Sequence, residues 1–179
     1  VFVKKNPFVS VVMPAYNTEQ YVSDAIESIL HQTYENFEFI IVNDACSDKT
    51  GHIIQSFQKR DKRVIVVTNK KNIGVSKSLN RALKRARGKY IIRMDADDWS
   101  YPDRFKLQIK LMEDHPNVVV SGSYIEVCDQ KLKVKYVRKY NLDDTSIRKH
   151  LFRYSPFAHP VTIWRADVLR KENYNENIT

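Results

Sequence analysis

Through roughly the first 115 positions, apolar β-rich runs alternate with stretches whose apolar residues recur at helical spacing. The run "FVSVVMP" predicts a first strand over 8–14. It is followed by "NTEQYVSDAIESILHQ", which sets Val22, Ala25, Ile26, Ile29 and Leu30 on one helical stripe, with Asn17 and Gln20 able to form a capping box. "FEFIIVN" reads as a second strand. The helix after it, over 47–60, opens on a capping Ser47 or Asp48 and turns Ile53, Ile54 and Phe57 inward. "RVIVVTN" is a third strand, and "VSKSLNRALKRARG" a third helix closed by basic residues and by Gly88. "KYIIRM" is a fourth strand and leads straight into "DADD". Strands alternating with helices in this way imply a mostly parallel sheet covered by helices on both faces. Beyond Pro116 the pattern loosens into strands over 117–127 and 133–140 and short helices over 143–152 and 165–171.

At 179 residues the chain has the length of one α/β domain with one core. Its apolar runs are far shorter than the roughly 18 residues that a membrane-crossing helix needs. The start "VFVKKNPF" lacks an initiating Met and a signal-peptide core, so the reading is a cytoplasmic chain trimmed at its start. Cys46 and Cys128 stand alone with no CxxC partner, which argues against zinc or a disulfide framework and for buried free thiols. The 30 Lys and Arg exceed the 21 Asp and Glu, a net charge of +9 that favours anionic partners such as nucleic acid, acidic lipid headgroups or phosphorylated substrates.

In open α/β sheets ligands bind beyond the carboxyl ends of the strands. Three polar segments fall there: "PAYN" after the first strand, "NDACSD" after the second and "DADD" after the fourth. In an extended segment Asp95 and Asp97 would share a face and converge on one cation while Asp98 turns aside. Oxygen-only ligands suit Mg²⁺ or Mn²⁺ completed by substrate phosphates. The competing reading makes Asp97 and Asp98 caps for the helix that begins near Pro102. Asp44 can accept from a ribose hydroxyl or a base N–H, or serve an Asx turn. A dinucleotide-binding domain would need glycines after the first strand, where this chain has "PAYNTEQ". Tyr16 could stack on a base or plug the sheet edge. Asn72, Gly74 and Asn80 are turn and cap residues first, with Asn72 kept among the candidate nucleotide contacts and Gly74 expected at positive φ. Lys77, Arg81 and Lys84 form a solvated basic face on the third helix, or a patch for acidic headgroups or phosphorylated acceptors. Nucleic acid is disfavoured because no aromatic residues interleave with the charge. His159, in "SPFAHPVTIWR" ahead of a further predicted strand, reads as a packed histidine or as a contact on the donor-sugar or metal side.

The segments at 9–50 and 72–104, and then "FAHPVTIWRADVLRK", resemble family 2 glycosyltransferases of the GT-A fold. The resemblance covers essentially the whole chain and weakens after about Pro116. It implies one Rossmann-like domain, with a nucleotide-binding part at about 7–116 and an acceptor side at about 117–179. It also implies inverting transfer of a sugar, usually from a UDP-linked donor, to a saccharide or lipid-linked acceptor, at the inner face of a membrane for a cell-surface polymer. Position by position, Pro14, Ala15, Tyr16 and Asn17 would border the nucleoside, and Asp44 would meet the uracil or ribose. Asp95 and Asp97 would form the DxD motif, with Asp97 the direct ligand of Mn²⁺ or Mg²⁺ and Asp95 nearer the ribose and donor sugar. Asn43, Ala45 and Cys46 depart from the family's commoner "DDGS", which bears on nucleotide preference. Two other readings are a sugar nucleotidyltransferase, which would ordinarily show a glycine-rich phosphate loop, and a non-catalytic binder of anionic polymers. The family's base usually follows a segment like "NYNEN", so Glu176 is not promoted and the base is expected beyond Thr179. The 179-residue chain is therefore expected to bind nucleotide with metal and to transfer sugar poorly; robust turnover in a donor-hydrolysis and transfer assay would overturn this.

Overall fold

The computed structural model describes residues 8–129 and 133–177. The trimmed start read at 1–7 and the end at Thr179 lie outside these described residues. The first strand, β1 (Val9–Ala15), has parallel partners on both sides, β2 (Phe37–Asn43) and β4 (Tyr90–Arg93), while β3 (Val64–Thr68) extends the sheet beyond β2. Two later strands complete it: β8 (Ile163–Arg165) runs antiparallel to β4, and the short β5 (Val120–Ser121) pairs antiparallel with β8. The order across the six-stranded sheet is β3-β2-β1-β4-β8-β5. It is the expected largely parallel sheet, with one antiparallel strand inserted.

A strand covered on both faces must be apolar at nearly every position. All seven residues of β2 are buried accordingly, and Val9, Val11, Val12 and Met13 of β1 are fully buried. On one face Val11, Met13, Phe39 and Ile41 pack against α1 (Val22–Leu30), α2 (Thr50–Arg60) and α4 (Arg104–Asp114) through Ile26, Ile29, Ile54, Phe57, Phe105 and Met112. On the other, Val12, Ile40, Val42 and Ile91 meet α3 (Val75–Leu83) and α6 (Ala166–Glu172) through Leu79, Ala82, Leu83 and Leu169. The predicted helical stripes are thus the buried ones.

Four local expectations are corrected. The capping box at Asn17 and Gln20 does not form: α1 starts only at Val22, and Asn17 sits at φ 49° with its side chain on Ser47. Gly88 is not the helix stop, since α3 ends at Leu83; glycine is needed there because a Cβ would lie 2.4 Å from Ser10 N and 2.7 Å from the Val9 carbonyl carbon. The single strand read over 117–127 divides at 122–124 into β5 and β6 (Ile125–Cys128), and β6 pairs with β7 (Val134–Arg138) in a hairpin separate from the main sheet. Cys128 is exposed on that hairpin, contrary to its reading as a buried thiol. Past it lie α5 (Asp144–His150), with Asp143 accepting from Ser146 N–H, and a 3₁₀ turn at His159–Val161.

At the end of the sheet away from the strands' carboxyl termini, buried Glu38 accepts from Ser10 Oγ at 2.6 Å, from Arg87 N–H at 2.7 Å and from the Arg87 guanidinium. Ser10 Oγ also accepts the Gly88 N–H at 2.8 Å, so the turn before β4 is pinned to β1 and β2. Gly88→Ala would drive a methyl group into this backbone junction. Urea unfolding should show a loss of about 2 kcal/mol or more, the scale of overpacking in a close-packed interior; a variant as stable as the parent would mean the junction can yield.

Candidate functional site

The carboxyl ends of β1, β2 and β4 lie side by side, and the strand order turns about β1, because α1 leads out to β2 while β4 returns on the opposite side. The loops after β1 and β2 are tied to each other. Asn17 Oδ1 accepts from Ser47 N–H at 2.9 Å, and Cys46 Sγ donates to Ala15 O at 3.3 Å. Thr18 N–H reaches Thr50 Oγ1 at 2.8 Å, Glu19 N–H reaches Asp48 Oδ2, and Lys49 N–H returns to Glu19 Oε2 at 2.8 Å. Asp48 Oδ1 also accepts from Thr50 N–H, but neither Ser47 nor Asp48 is the cap expected of it: Lys49 holds the N-cap position of α2 with no side-chain capping bond, and Ser47 serves Asn17. Ala45 is held at φ 57°, a left-handed conformation that costs an alanine about 1–2 kcal/mol. Burial raises the Cys46 thiol pKa. Of residues 14–17, Ala15 is buried and Pro14 half-buried, whereas Tyr16 stands 49% exposed.

Asp44 is buried at the end of β2 and its carboxylate shapes the next loop. Oδ1 accepts from Asn69 Nδ2 at 2.6 Å and from Ile73 N–H at 2.9 Å; Oδ2 accepts from Gly74 N–H at 2.9 Å. Asn72 Oδ1 takes the same Gly74 N–H at 3.0 Å, and Gly74 has the expected positive φ, 84°. Asn69, absent from the sequence reading, links this knot to Ser78 and Arg81 of α3. A polar residue just past an apolar strand was its only visible signal.

Strand β4 stops at Arg93, so the acids occupy a turn and the strand alternation argued for Asp95 and Asp97 does not apply. They are not helix caps either, because α4 begins after Asp103. Asp95 is half-buried and ion-paired with Arg93, whose side chain is 3% exposed. Asp97 is exposed, with no hydrogen bond or ion pair to a described residue. Asp98 also meets solvent but is densely surrounded: desolvation first, then the charges of Asp95 and Asp97, push its carboxyl up to about 6, against the pull of Arg93 and Arg104. The Arg104 guanidinium donates to Arg93 O and Pro160 O, both at 2.9 Å, and to Gln108 Oε1; burial brings its pKa down to about 10 despite Asp98. Both arginines escaped the sequence reading, although "RMDADD" shows the first of them two positions before Asp95.

His159 lies on the 3₁₀ turn with its Nε2 3.2 Å from Tyr174 Oη and the two rings 5.3 Å apart. Part of its surface is open, yet desolvation and then Arg93 lower its pKa to about 4, so the ring is neutral near pH 7. Asn80, buried on α3, clasps the stretch after α6: its Nδ2 donates to Tyr174 O and Glu176 Oε1, and its Oδ1 accepts from Tyr174 N–H. Glu176 is engaged structurally.

Polar loops and an acidic turn thus gather at the β1/β4 switch of an α/β/α layering. This chain belongs to glycosyl transferase family 2, whose family model matches residues 10–172. It is 38% identical over 177 residues to an uncharacterized glycosyltransferase of Methanocaldococcus jannaschii, covering 96% of this chain and 60% of that relative. In fold it is similar to a mannosyltransferase of Pyrobaculum calidifontis in complex with GDP-Man and Mn²⁺ (TM-score 0.74, 18% identity, 98% of this chain and 49% of that one). It is also similar to S. aureus TarS in complex with UDP (TM-score 0.69, 21% identity, 95% of this chain and 51% of that one). The chain thus spans between about half and 60% of the length of these proteins.

The Asp98 shift has a sign that can be tested. Its folded pKa, about 6, exceeds the unfolded carboxylate value of about 3.9, so the folded state binds this proton more readily and the group's penalty is full above pH 6 and relieved toward pH 4. In chelator-containing buffer, Asp98→Asn should raise Tm relative to the parent at pH 7–8, with the gain shrinking through about pH 6 and gone near about pH 4. An equal gain across thermal melts at all pH values would contradict the assigned environment.

Proposed function

We propose that the edge formed by residues 14–17, Asp44 and the 95–98 turn binds a sugar linked to a nucleoside diphosphate, and that the whole protein transfers that sugar with inversion to an acceptor hydroxyl. The observation carrying the reading is the convergence of these three segments at the β1/β4 switch, where α/β sheets take ligands. The nucleotides held by the fold neighbours, GDP-Man in one and UDP in the other, support it.

Each residue has a corresponding part. The exposed ring of Tyr16 is open for stacking on a base, with Pro14, Ala15 and Asn17 bordering the nucleoside. Asp44 keeps acceptor capacity on Oδ2, which takes one protein donor where Oδ1 takes two, and that capacity suits a ribose hydroxyl or base N–H. Asn72, which shares the Gly74 N–H with Asp44, is the nucleotide contact assigned to the 69–74 loop. Asp97, with Asp95 beside it, suits Mn²⁺ or Mg²⁺. Among the described residues no group of three His, Cys, Asp or Glu is arranged to hold a metal. That fits a hard cation whose remaining ligands are diphosphate oxygens and water. Held by Asp97 with Asp95 beside it, such an ion would supply charge neutralisation to a diphosphate. His159, neutral and beside Tyr174, offers a hydrogen bond rather than a charge to the donor-sugar side.

Inversion requires a carboxylate to take the acceptor proton as the hydroxyl attacks opposite the leaving diphosphate. Glu176, held by Asn80, is not assigned this role. For the acceptor we favour a saccharide or lipid-linked hydroxyl presented at the inner face of a membrane. The β6–β7 hairpin and the α5 region expose Tyr136, Leu142 and Phe152 among Lys135, Arg138, Lys139 and Lys149, a surface matched to an anionic or amphiphilic molecule. No helix among the described residues is long and apolar enough to cross a membrane.

Isothermal calorimetry with UDP and GDP, each with and without Mn²⁺, tests the donor site. In the parent, Mn²⁺ should tighten binding of at least one nucleotide by about tenfold or more, which is about 1.4 kcal/mol. Asp97→Ala should lose that increment. Identical binding by parent and variant would remove the metal assignment, and no binding of either nucleotide would remove the donor site.

A further inference from the structure

Arg93, which is buried, behaves unlike the half-buried arginines around it. Arg104 and Arg165 spend their guanidinium donors on carbonyl oxygens: Arg93 and Pro160 for the first, Val118, Met112 and His115 for the second. Arg93 bonds through its side chain to Asp95, and its Nε is a buried donor with no partner among the described residues. An interior guanidinium used to brace the fold is expected to satisfy its donors, since an unmet one costs about 1–3 kcal/mol. Arg93 instead sets a positive charge, nearly closed off from water, directly against the first acid of the turn.

We propose that Arg93 is a positioning residue that neutralises and orients Asp95, so that the acidic turn alone is a poor cation site and gains full affinity only when a nucleoside diphosphate supplies the missing negative charge. This rests on the donor-site reading above. Three carboxylates, Asp95, Asp97 and Asp98, stand against two guanidinium groups, the buried Arg93 and the half-buried Arg104, which act on the same turn. One negative charge is left over, with Asp97 as the exposed, unengaged carboxylate. A divalent ion beside a single uncompensated charge remains largely hydrated and weakly held. The diphosphate adds the further charge and oxygen ligands, so cation and nucleotide enter as one unit.

The test is Mn²⁺ binding measured by calorimetry without nucleotide and with saturating UDP or GDP, independent of any turnover. Arg93→Gln frees Asp95, and Mn²⁺ alone should bind at least about tenfold tighter, near the water-screened low end of what one charge at short range contributes; its enhancement by nucleotide should shrink correspondingly. Arg93→Lys keeps the charge and should stay near the parent. The double variant Arg93→Gln with Asp95→Asn removes both charges and should return Mn²⁺ affinity to within about threefold of the parent, as expected when a coupled pair is removed together. A folded Arg93→Gln protein, verified by near-UV circular dichroism, that binds Mn²⁺ no more tightly than the parent would overturn the proposal. If that variant does not fold, the double variant decides: Mn²⁺ affinity more than about tenfold below the parent would mean Asp95 already ligates the ion, and would overturn it too. A parent that binds Mn²⁺ with neither nucleotide overturns both this inference and the metal assignment beneath it.

Discussion

Parallel pairing of β1 with β2 on one side and β4 on the other is the constraint from which the rest of the site follows. Parallel neighbours end at the same edge, so three chain segments far apart in sequence are brought to one rim. The register is specific. Arg93 pairs with Val12, and β1 runs three residues further to Ala15, so the acidic turn is placed alongside the last residues of β1 and the loop that follows. Ser10, Glu38 and Arg87 lock the opposite end of the same three strands. A slip of one residue would exchange the two faces of β4, both of them buried, and carry Arg93 with it.

The electrostatics at the rim are built by burial as much as by proximity. Asp95, Asp97 and Asp98 stand within four positions, which in isolation would be mutually destabilising. Buried Arg93 and half-buried Arg104 offset that repulsion, and desolvation first, with the remaining repulsion from Asp95 and Asp97 second, makes Asp98 hold its proton more tightly than an ordinary carboxylate. Arg104 does further work: its two carbonyl contacts join the end of β4 to the stretch before β8, coupling the acidic turn to the part of the chain that contains His159.

Much of this architecture was legible in the chain because the first four strands and three helices follow local rules: continuous apolar runs for strands covered on both sides, and helical spacing for single buried stripes. What was not legible depended on long-range partners. Asn17 looked like a helix cap until the fold brought Ser47 to it, and Gly88 looked like a helix stop although its real constraint is the backbone of β1. The late strands β5 and β8, two and three residues long, fall within or beside strands read from the chain, but their true lengths and their antiparallel pairing depend on partners distant in sequence. At the site, the acids announced themselves by type and position. Arg93, Arg104 and Asn69 did not, because a cation or an amide beside a strand end is common, and its meaning lies in what is buried against it.

The reciprocal stitching between the β1–α1 and β2–α2 loops has a dynamic corollary. Thr18 and Glu19 donate to side chains of the second loop, while Ser47 and Lys49 donate to side chains of the first, so neither can open without breaking the bonds of the other. Their amide protons should exchange with solvent as a single cooperative unit rather than as two frayed turns. A guest settling against either loop would then meet a surface that is already rigid, and little of its binding energy would be lost to ordering the host.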